Sequence, residues 1–306
     1  MSTLTTPTGV LLGEFTPGTL EWDQARAGLT ITATEIAAVM GLSPWQSLFS
    51  LWHKKAGLST PPFEMTPAIE WGNRLEDAVA QKWVDEHQNT TEATQAGTWH
   101  HRDRDWQRAT PDRIFMPLTG WEIAPGELPR LLEVKTSPFG DGWGPAGTDE
   151  IPLHYQCQIQ WQLDTLGLQV CHVAVLISGH DYREYVVEYD PDDAKLMRTA
   201  AEEFLNSVRN GERPPIDGAD ATYQTIRVQH EGREDADVEI SDQIAADYEI
   251  AQLGYKAAET ELTRARGHVL DAIGTGYRAV HDGRRIAYRT VREDGTTLAL
   301  QPYRSH

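Results

Sequence analysis

The spacing of apolar residues along the chain predicts alternating helices and strands. Apolar side chains recur every three or four positions after the Thr32-Ala33-Thr34-Glu35 segment, after Ser43-Pro44, and over residues 69–87, 155–166 and 192–208, which indicates helices. Runs of β-prone residues at 130–135, 170–177 and 185–189 indicate strands, and the second of these is apolar enough to be buried on both faces. This order predicts an α/β fold with a central mixed sheet flanked by helices.

The C-terminal third of the chain is predicted to form a separate extension. Residues 211–218 contain two prolines and two glycines, a composition that interrupts both helices and central strands. We therefore predict one domain over residues 1–212 and an extension over residues 217–306. Within the extension, residues 242–273 have helical spacing broken at Gly254 and Gly267, so a long helix or a helical hairpin is expected, followed by strands near 285–291 and 297–301.

The tryptophan positions add an expectation about the core. Five of them fall on apolar helical faces and are predicted to pack inside the protein: Trp45, Trp52, Trp71, Trp83 and Trp161.

Composition excludes several classes of protein. The 306 residues carry 27 basic and 46 acidic groups, a net charge of −19, which argues against a general nucleic-acid coat protein but not against an enzyme that meets DNA in a narrow cleft. No stretch approaches the roughly 20 apolar residues of a membrane helix, so no membrane association is expected. The two cysteines, Cys157 and Cys171, exclude a disulfide scaffold and a four-cysteine metal site, and we expect a reducing, cytoplasmic location.

Four polar positions suggest metal-dependent chemistry. Asp112 follows Pro111 in a turn, and Glu133 and Lys135 lie two apart on a predicted strand, so their side chains leave the same face. Glu76 lies on a predicted helix. Paired carboxylates without nitrogen or sulfur ligands suit Mg²⁺ or Mn²⁺, and two such ions can support phosphodiester hydrolysis with a lysine beside the water. Taken alone, this pattern is a weak indication of a metal site, and it favours a surface turn followed by a solvated strand end.

Five ordered blocks narrow the interpretation. They are Trp22-x-x-x-Arg26 leading to Ile31-Thr32-Ala33-Thr34-Glu35, Trp71-Gly72 followed by Glu76, Thr110-Pro111-Asp112, Leu132-Glu133-Val134-Lys135, and Tyr155-x-x-Gln158-x-Gln160. Over about residues 20–210 the chain resembles the YqaJ-like viral recombinases, relatives of the phage lambda exonuclease in the PD-(D/E)xK nuclease superfamily. The resemblance implies a restriction-endonuclease-like core and a 5′-to-3′ exonuclease that resects double-stranded DNA ends to 3′ overhangs, releasing 5′-mononucleotides.

The resemblance also implies roles for individual residues. Asp112 and Glu133 would hold Mg²⁺, as two ions in the family pattern, or Mn²⁺ in its place, with the backbone carbonyl of Val134 as a further ligand and Glu76 in support. Lys135 would position the nucleophilic water, and Gln158 would orient the water and the scissile phosphate. Arg26 and Thr34 would bind the 5′-phosphate, with Thr34 where the family commonly has serine. Tyr155 and Ile69 would contact DNA, Ile69 as an apolar wedge at the terminal base pair.

Assembly and alternatives follow from the same resemblance. It implies a ring-shaped homotrimer around the duplex and a partner that anneals single strands. The chain departs from the family in a long connection, residues 116–130, which contains three prolines between Asp112 and Glu133. Two other functions stay open at this point: a site-specific endonuclease on the same core, and a non-catalytic protein that binds DNA ends.

Overall fold

The computed structural model describes residues 5–16, 18–230 and 232–303, so the predicted domain ends at residues 1–4 and 304–306 lie outside the described residues. The chain forms two compact units, one ending at residue 231 and the other beginning at residue 232. The first unit contains two sheets and seven helices among its described residues.

A five-stranded mixed sheet forms the centre of the first unit, in the order β3-β6-β7-β8-β9. Its strands are β3 (Thr94–Gln95), β6 (Arg113–Phe115), β7 (Arg130–Ser137), β8 (Val170–Ile177) and β9 (Asp181–Glu188). Strands β7 and β8 are parallel, and the other neighbours are antiparallel. The α/β class and the strands predicted near residues 130, 170 and 185 are therefore present.

Seven helices accompany the sheets of the first unit. They are α1 (Leu20–Arg26), α2 (Ile36–Val39), α3 (Leu48–Lys55), α4 (Pro67–Glu86), α5 (Leu153–Leu166), α6 (Pro191–Asn210) and α7 (Asp220–Arg227). Helix α4 begins at the Thr66 cap, whose hydroxyl accepts from the Ile69 amide, and has proline in its first turn. Helix α5 ends at Gly167 (φ 72°), where a Cβ would lie 2.7 Å from Thr8 Oγ1. The close approach and the left-handed backbone both require glycine there.

The two faces of the central sheet are covered by different helices. Leu132 and Val134 of β7 pack with Val79, Ala80 and Trp83 of α4 on one face. Leu131 packs on the other face with Ile159 and Leu163 of α5. Because side chains alternate along a strand, Glu133 and Lys135 share the face of Leu131 and point to the side of α5.

A second sheet was missed by the sequence reasoning. Its strands, in the order β1-β4-β5-β2, are β1 (Gly9–Gly13), β4 (Thr98–His101), β5 (Arg104–Ala109) and β2 (Ile31–Thr32). The strands are short and carry many charged and polar residues, so their hydrophobic pattern was weak. Helix α5 packs between this sheet and the central one, with Trp161 fully buried.

Two local predictions are wrong. The helix expected from Ser43-Pro44 begins at Leu48, because Ser47 and Ser50 form a reciprocal capping box there, and Ser43 instead caps a turn at Gln46. Trp45 and Trp71 are 67 % and 61 % exposed, whereas Trp52, Trp83 and Trp161 are buried as predicted. Trp45 precedes its helix, and Trp71 lies in the first turns of α4, whose buried residues Val79, Ala80 and Trp83 come later in the helix.

The second unit contains one long helix and one small sheet. Helix α8 (Asp242–Ile273) is continuous across both glycines, which decides between the two predicted arrangements. Strands β10 (Arg278–His281), β11 (Arg284–Val291) and β12 (Thr297–Pro302) form an antiparallel sheet, and β10 was not predicted. Val269, Leu270 and Ile273 pack against this sheet with Ile286.

The division between the units lies later than the predicted linker. Helix α7 follows residues 211–218 but belongs to the first unit, because it packs on α3 and Thr222 donates to Ser47 Oγ at 2.7 Å. The proline- and glycine-rich segment therefore connects α6 to another helix of the same unit. None of the helices among the described residues is long and apolar enough to span a membrane.

A buried carboxylate on α5 joins three elements of the first unit. Asp164 is 7 % exposed and accepts hydrogen bonds from Arg104 (3.0 Å), Gln107 (2.8 Å), Tyr189 (2.8 Å) and Arg198 (2.5 Å). Burial alone would raise the pKa of Asp164, but the bonds from Gln107, Tyr189 and Arg198 outweigh it and lower the pKa. The carboxylate thus stays charged and ties α5 to β5 and α6.

We expect Asp164→Ala to lower the free energy of unfolding by at least about 2 kcal/mol, because it leaves two partly buried arginines without their partner. Asp181→Ala is the control, since Asp181 pairs with Arg183 near the surface, where solvent and salt screen an ion pair and its loss has little effect on stability. Urea unfolding of both variants measures the difference. Equal losses in the two variants would show that the Asp164 network contributes no special stability.

Candidate active site

Asp112 and Glu133 come together where the pairing of β6 with β7 ends. The last paired residues are Arg113 and Leu132, so the next amide of β7 on that side lacks a backbone partner from β6. Asp112 Oδ2 takes that place by accepting from the Val134 amide at 2.8 Å. Pro111 holds the backbone extended before Asp112, and the turn thereby delivers the carboxylate to β7 beside Glu133.

Glu133 is a carboxylate buried almost completely, with 1 % of the residue exposed. Its Oε1 accepts from the Gln158 amide and from Lys135 Nζ (2.5 Å), and its Oε2 accepts from Gln162 Nε2 at 3.0 Å. Gln158 and Gln162 lie one turn apart on α5, so both amides face the same strand. A carboxylate in this position tolerates burial because each oxygen has a donor.

Lys135 completes the group. Its ammonium lies 5.0 Å from the centre of the Tyr155 ring, as well as bonding to Glu133. Burial would lower the pKa of Lys135, but the carboxylates of Glu133 and Asp112 outweigh burial and raise it. Lys135 is therefore a donor in this state rather than a proton acceptor.

The surroundings of Asp112 favour its neutral form, whereas those of Lys135 favour the charged form. Its pKa lies well above the ordinary value because of burial, then because of repulsion from Glu133 and, more weakly, from Glu76. Lys135 and the Val134 amide lower the pKa but do not compensate. A cation beside Asp112 and Glu133 would relieve this repulsion.

Glu76 lies nearby but is engaged elsewhere. Its Oε1 accepts from Arg113 at 2.8 Å, and the same guanidinium bonds to Asp77 and to the Asp112 carbonyl. Among the residues described, no group of three or more His, Cys, Asp and Glu side chains is arranged to hold a metal ion. The structure therefore places Glu76 next to the pair without joining it to them.

The remaining oxygen donors fit a hard divalent cation. Asp112 and Glu133 supply carboxylates, and the backbone carbonyl of Val134 lies between Glu133 and Lys135 in the strand. These three donors are all oxygen atoms, which suits Mg²⁺ or Mn²⁺ rather than Zn²⁺. Burial and the repulsion from Glu133 raise the pKa of Asp112, and a cation held between the two carboxylates would oppose both effects.

Arg26 and Thr34 form a second site. Arg26 Nη2 donates to Thr34 Oγ1 at 2.9 Å, and the guanidinium stacks 3.9 Å from the centre of the Trp22 ring. Thr32 Oγ1 lies 3.1 Å from Thr34 Oγ1. Thr34 is exposed, so this side of the pocket opens to solvent with a hydroxyl and a guanidinium together.

Two lysines that the sequence reasoning missed extend this positive site. Glu35 accepts from Lys54 (3.1 Å) and Lys55 (2.8 Å), and Lys55 lies close enough to Arg26 for repulsion. Burial would raise the pKa of Glu35, but Lys55 and Lys54 lower it to about 2. Three cations thus face two carboxylates here, because Asp23 also acts on Arg26. The Lys54-Lys55 pair in the last turn of helix α3 was the available signal.

Tyr155 and Ile69, the predicted DNA contacts, differ in their surroundings. Tyr155 adjoins the carboxylate site through Lys135, and the His154 ring lies 4.1 Å from its own. Exposed Trp45 meets His154 edge-on at 4.8 Å. Ile69 is 38 % exposed in the first turn of α4, close in sequence to exposed Trp71. The structure brings Tyr155, but not Ile69, into contact with a residue of the carboxylate site among the described contacts.

A family comparison covers both sites. The model of the YqaJ-like viral recombinase domain matches residues 21–169, a segment that includes Arg26, Asp112, Glu133 and Gln158. Residues 21–169 of the chain are therefore similar to the YqaJ-like viral recombinase domain. The resemblance drawn from the five blocks is thereby confirmed.

The individual relatives and solved structures share less than 30 % sequence identity with this chain. Protein YqaJ of Bacillus subtilis is 27 % identical over 202 residues, which cover 64 % of this chain, and the match spans only 59 % of the relative's own length. Among solved structures, the alkaline exonuclease LHK-Exo of Laribacter hongkongensis is 19 % identical, with a TM-score of 0.46 over 63 % of this chain and 94 % of that one. A phage-related exonuclease of Haemophilus somnus is 13 % identical, with a TM-score of 0.36 over 60 % and 96 % of the two chains.

The raised pKa of Asp112 gives a prediction for stability. When a chelator removes divalent metal, the folded state holds the Asp112 proton more tightly than the unfolded state does. The contribution of Asp112 to stability is therefore full below its pKa in the unfolded state and is lost as the pH rises through its pKa in the folded state. Asp112→Asn removes that loss and keeps an acceptor for the Val134 amide. We expect a higher Tm for the variant than for the wild type at neutral pH in chelator.

Added Mn²⁺ should reverse the order of the two Tm values, so that the wild type becomes more stable than Asp112→Asn. At about 100 times its Kd, the ion stabilises a binding protein by about 2.7 kcal/mol, and the variant should gain little. Because the ion needs the carboxylate, wild-type affinity should rise with pH. Thermal unfolding with and without Mn²⁺ checks both points, and an equal Mn²⁺ effect on the two proteins would exclude Asp112 as a ligand.

Proposed function

We propose that this chain is a metal-dependent deoxyribonuclease on a PD-(D/E)xK core, which degrades double-stranded DNA from its ends in the 5′-to-3′ direction. The observation that carries the proposal is the convergence of Asp112, Glu133, Lys135 and Gln158 beside β7, the middle strand of the central sheet. A buried and a half-buried carboxylate, a charged lysine and an amide would be costly to maintain for packing alone. The match of residues 21–169 to the YqaJ-like viral recombinase domain supports the same function.

The cation would be held by Asp112, Glu133 and the Val134 carbonyl, as one Mg²⁺ or Mn²⁺ ion or as two. When bound, it supplies Lewis-acid stabilisation of the phosphodiester charge and lowers the pKa of a water. Lys135 holds the attacking water and balances the charge that develops on the phosphate. Gln158 orients that water from α5, and Glu76 supports the site from α4 once Arg113 releases it.

The reaction is hydrolysis of a phosphodiester. A water oxygen bonds to phosphorus, the bond from phosphorus to the 3′ oxygen of the terminal nucleotide breaks, and that oxygen leaves as a hydroxyl. The released nucleotide keeps its 5′-phosphate, and the shortened strand carries a new one. Repetition leaves a growing 3′ overhang on the other strand.

Direction would come from the Arg26 pocket. A terminal 5′-phosphate carries more negative charge than an internal one and can accept from both the Arg26 guanidinium and the Thr34 hydroxyl. Lys54 and Lys55 add positive charge beside them. Helix α5 connects the pocket to the carboxylate site, because Trp161 Nε1 donates to the Ile31 carbonyl at 3.3 Å, one turn from Gln158.

The biological setting belongs to the same proposal. A 3′ overhang is the substrate of a single-strand annealing recombinase, which would be the partner protein in phage-type recombination. A homotrimeric ring around the duplex would keep a chain of net charge −19 on DNA without long-range attraction. Tyr155 and Ile69 would contact the DNA near the carboxylate site and the terminal base pair.

Glu133→Gln should abolish degradation of linear duplex in Mg²⁺, because it removes a negatively charged ligand while keeping the shape of the side chain. Lys135→Ala should slow hydrolysis by about 100-fold or more through loss of the group that holds the water. Lys195→Ala on the exposed side of α6 is the control and should retain full activity. Folded Glu133→Gln protein with wild-type rates would refute the proposed metal site.

Arg26→Ala should slow degradation of 5′-phosphorylated duplex by about 10- to 100-fold, since a hydrogen bond to a charged group contributes about 1.5–3 kcal/mol. Duplex with 5′-hydroxyl ends should be affected much less, so the preference between the two ends disappears. Arg209→Ala, an exposed arginine of α6, is the matched control. Degradation from 3′ ends, or an unchanged end preference in Arg26→Ala, would refute the polarity and the pocket.

A further inference from the structure

Helix α8 has no buried residue along its 32 residues. A helix of this length extends for about 48 Å, and helices in water gain most of their stability by packing an apolar face. Only its last turns do so within the second unit, through Val269, Leu270 and Ile273. The exposed apolar side chains before them are Ile244, Tyr248, Ile250, Leu253, Tyr255 and Leu262.

Most of these residues belong to one regular stripe. Positions alternately four and three apart along α8 carry, in order, Ile244, Tyr248, Ala251, Tyr255, Ala258, Leu262 and Ala265. We call these seven residues the α8 seam, which ends before Val269, where the helix packs against its own sheet. A sustained spacing of this kind has a period of 3.5 residues, which is typical of helices that pair in a coiled coil. From Tyr248 onwards, a larger side chain alternates with alanine.

The alternation suits two helices that approach closely. Each larger side chain of one helix can fill the space left by an alanine of the other, so the seam is complementary to itself. Ile250 and Leu253 lie outside the seam although both are 66 % exposed. The α8 seam is therefore defined by the regular spacing of its residues and not by their exposure alone.

Charge indicates the direction of pairing. The start of α8 carries Asp242, Asp247 and Glu249 without a basic residue. Towards its other end Arg264 is paired with Glu261, and residues 264–303 together hold seven arginines against four acids. The preceding residues 232–241 add further acids, and the sheet after α8 carries Arg278, Arg284, Arg285, Arg289 and Arg292. An antiparallel pair places the acidic end of one copy on the basic end of the other, whereas a parallel pair places like charges together.

We propose that the α8 seam binds the α8 seam of a second copy of this chain in antiparallel orientation. The proposal is independent of the nuclease activity, because it uses only residues of the second unit. The self-complementary stripe and the reversed charges at its two ends identify another copy as the occupant.

Sedimentation equilibrium of the full chain tests the pairing. The double variant Tyr255→Glu/Leu262→Glu should weaken self-association at least 10-fold and reduce the assembly to smaller species at micromolar concentration, because two charges enter the seam. Ile250→Glu/Leu253→Glu adds the same charge to the same helix outside the seam and should associate as the wild type does. A wild-type chain that remains at 34.3 kDa overturns the proposal, as do equal effects of the two double variants.

Charge exchange tests the orientation. Asp247→Lys/Glu249→Lys should weaken association about 10-fold although it reduces the net charge of −19 and therefore the general repulsion between copies. Adding Arg264→Glu/Arg266→Glu to that variant should restore association, because acidic and basic ends again face each other. If association strengthens in the first variant, or is not restored in the second, the antiparallel arrangement is wrong.

Discussion

The burial of the Glu133 carboxylate is the constraint on which the first unit of the molecule depends. A charged group with 1 % exposure is costly unless every oxygen is hydrogen-bonded, and the donors must come from elements fixed on the sheet. Gln158 and Gln162 supply them from α5. The orientation of α5 across β7 is therefore set by hydrogen bonds to a functional side chain as well as by apolar packing.

Helix α5 transmits that constraint to the rest of the first unit. Trp161 bonds to backbone carbonyls of β2 and β5, and Asp164 ties the helix to Arg104 and Arg198. The helix is thus polar and buried over most of its length, and nearly every polar atom has a partner. Displacement of α5 would disturb the carboxylate site and the Arg26 pocket together, since β2 leads directly into Thr34.

The sequence was sufficient for the parts of the fold whose hydrophobic period is clear. Strands β7 and β8 and helices α4 to α6 were predicted because their buried faces are continuous, and the same-face placement of Glu133 and Lys135 followed from strand alternation. Strands β4 and β5 were missed because their buried positions include His101, Gln107 and Thr98, which have no apolar signature. Their burial depends on partners distant in sequence.

The residues of the two sites were likewise predicted only in part from the sequence. The residues named by the family blocks do meet, since Asp112 bonds to the strand of Glu133 and Arg26 bonds to Thr34. Lys54, Lys55 and Gln162 were not predicted, because their role arises from the carboxylates they face in three dimensions. Likewise, the bond from Arg113 to Glu76 has no sequence signal and places Glu76 outside the metal ligands in this state.

The distribution of charge around Glu35 concentrates cations in a chain that is acidic overall. With a net charge of −19, the surface as a whole repels other anions, and salt screens that repulsion beyond about 10 Å. Glu35 pairs with Lys54 and Lys55, and Lys55 lies close enough to Arg26 to repel it. Glu35 has a pKa of about 2, so it remains charged and keeps the two lysines in position over the whole physiological range. If the Arg26 pocket binds a 5′-phosphate as proposed, attraction would act there only at short range, and the acidic surface around it would favour binding at the DNA terminus over binding along the duplex.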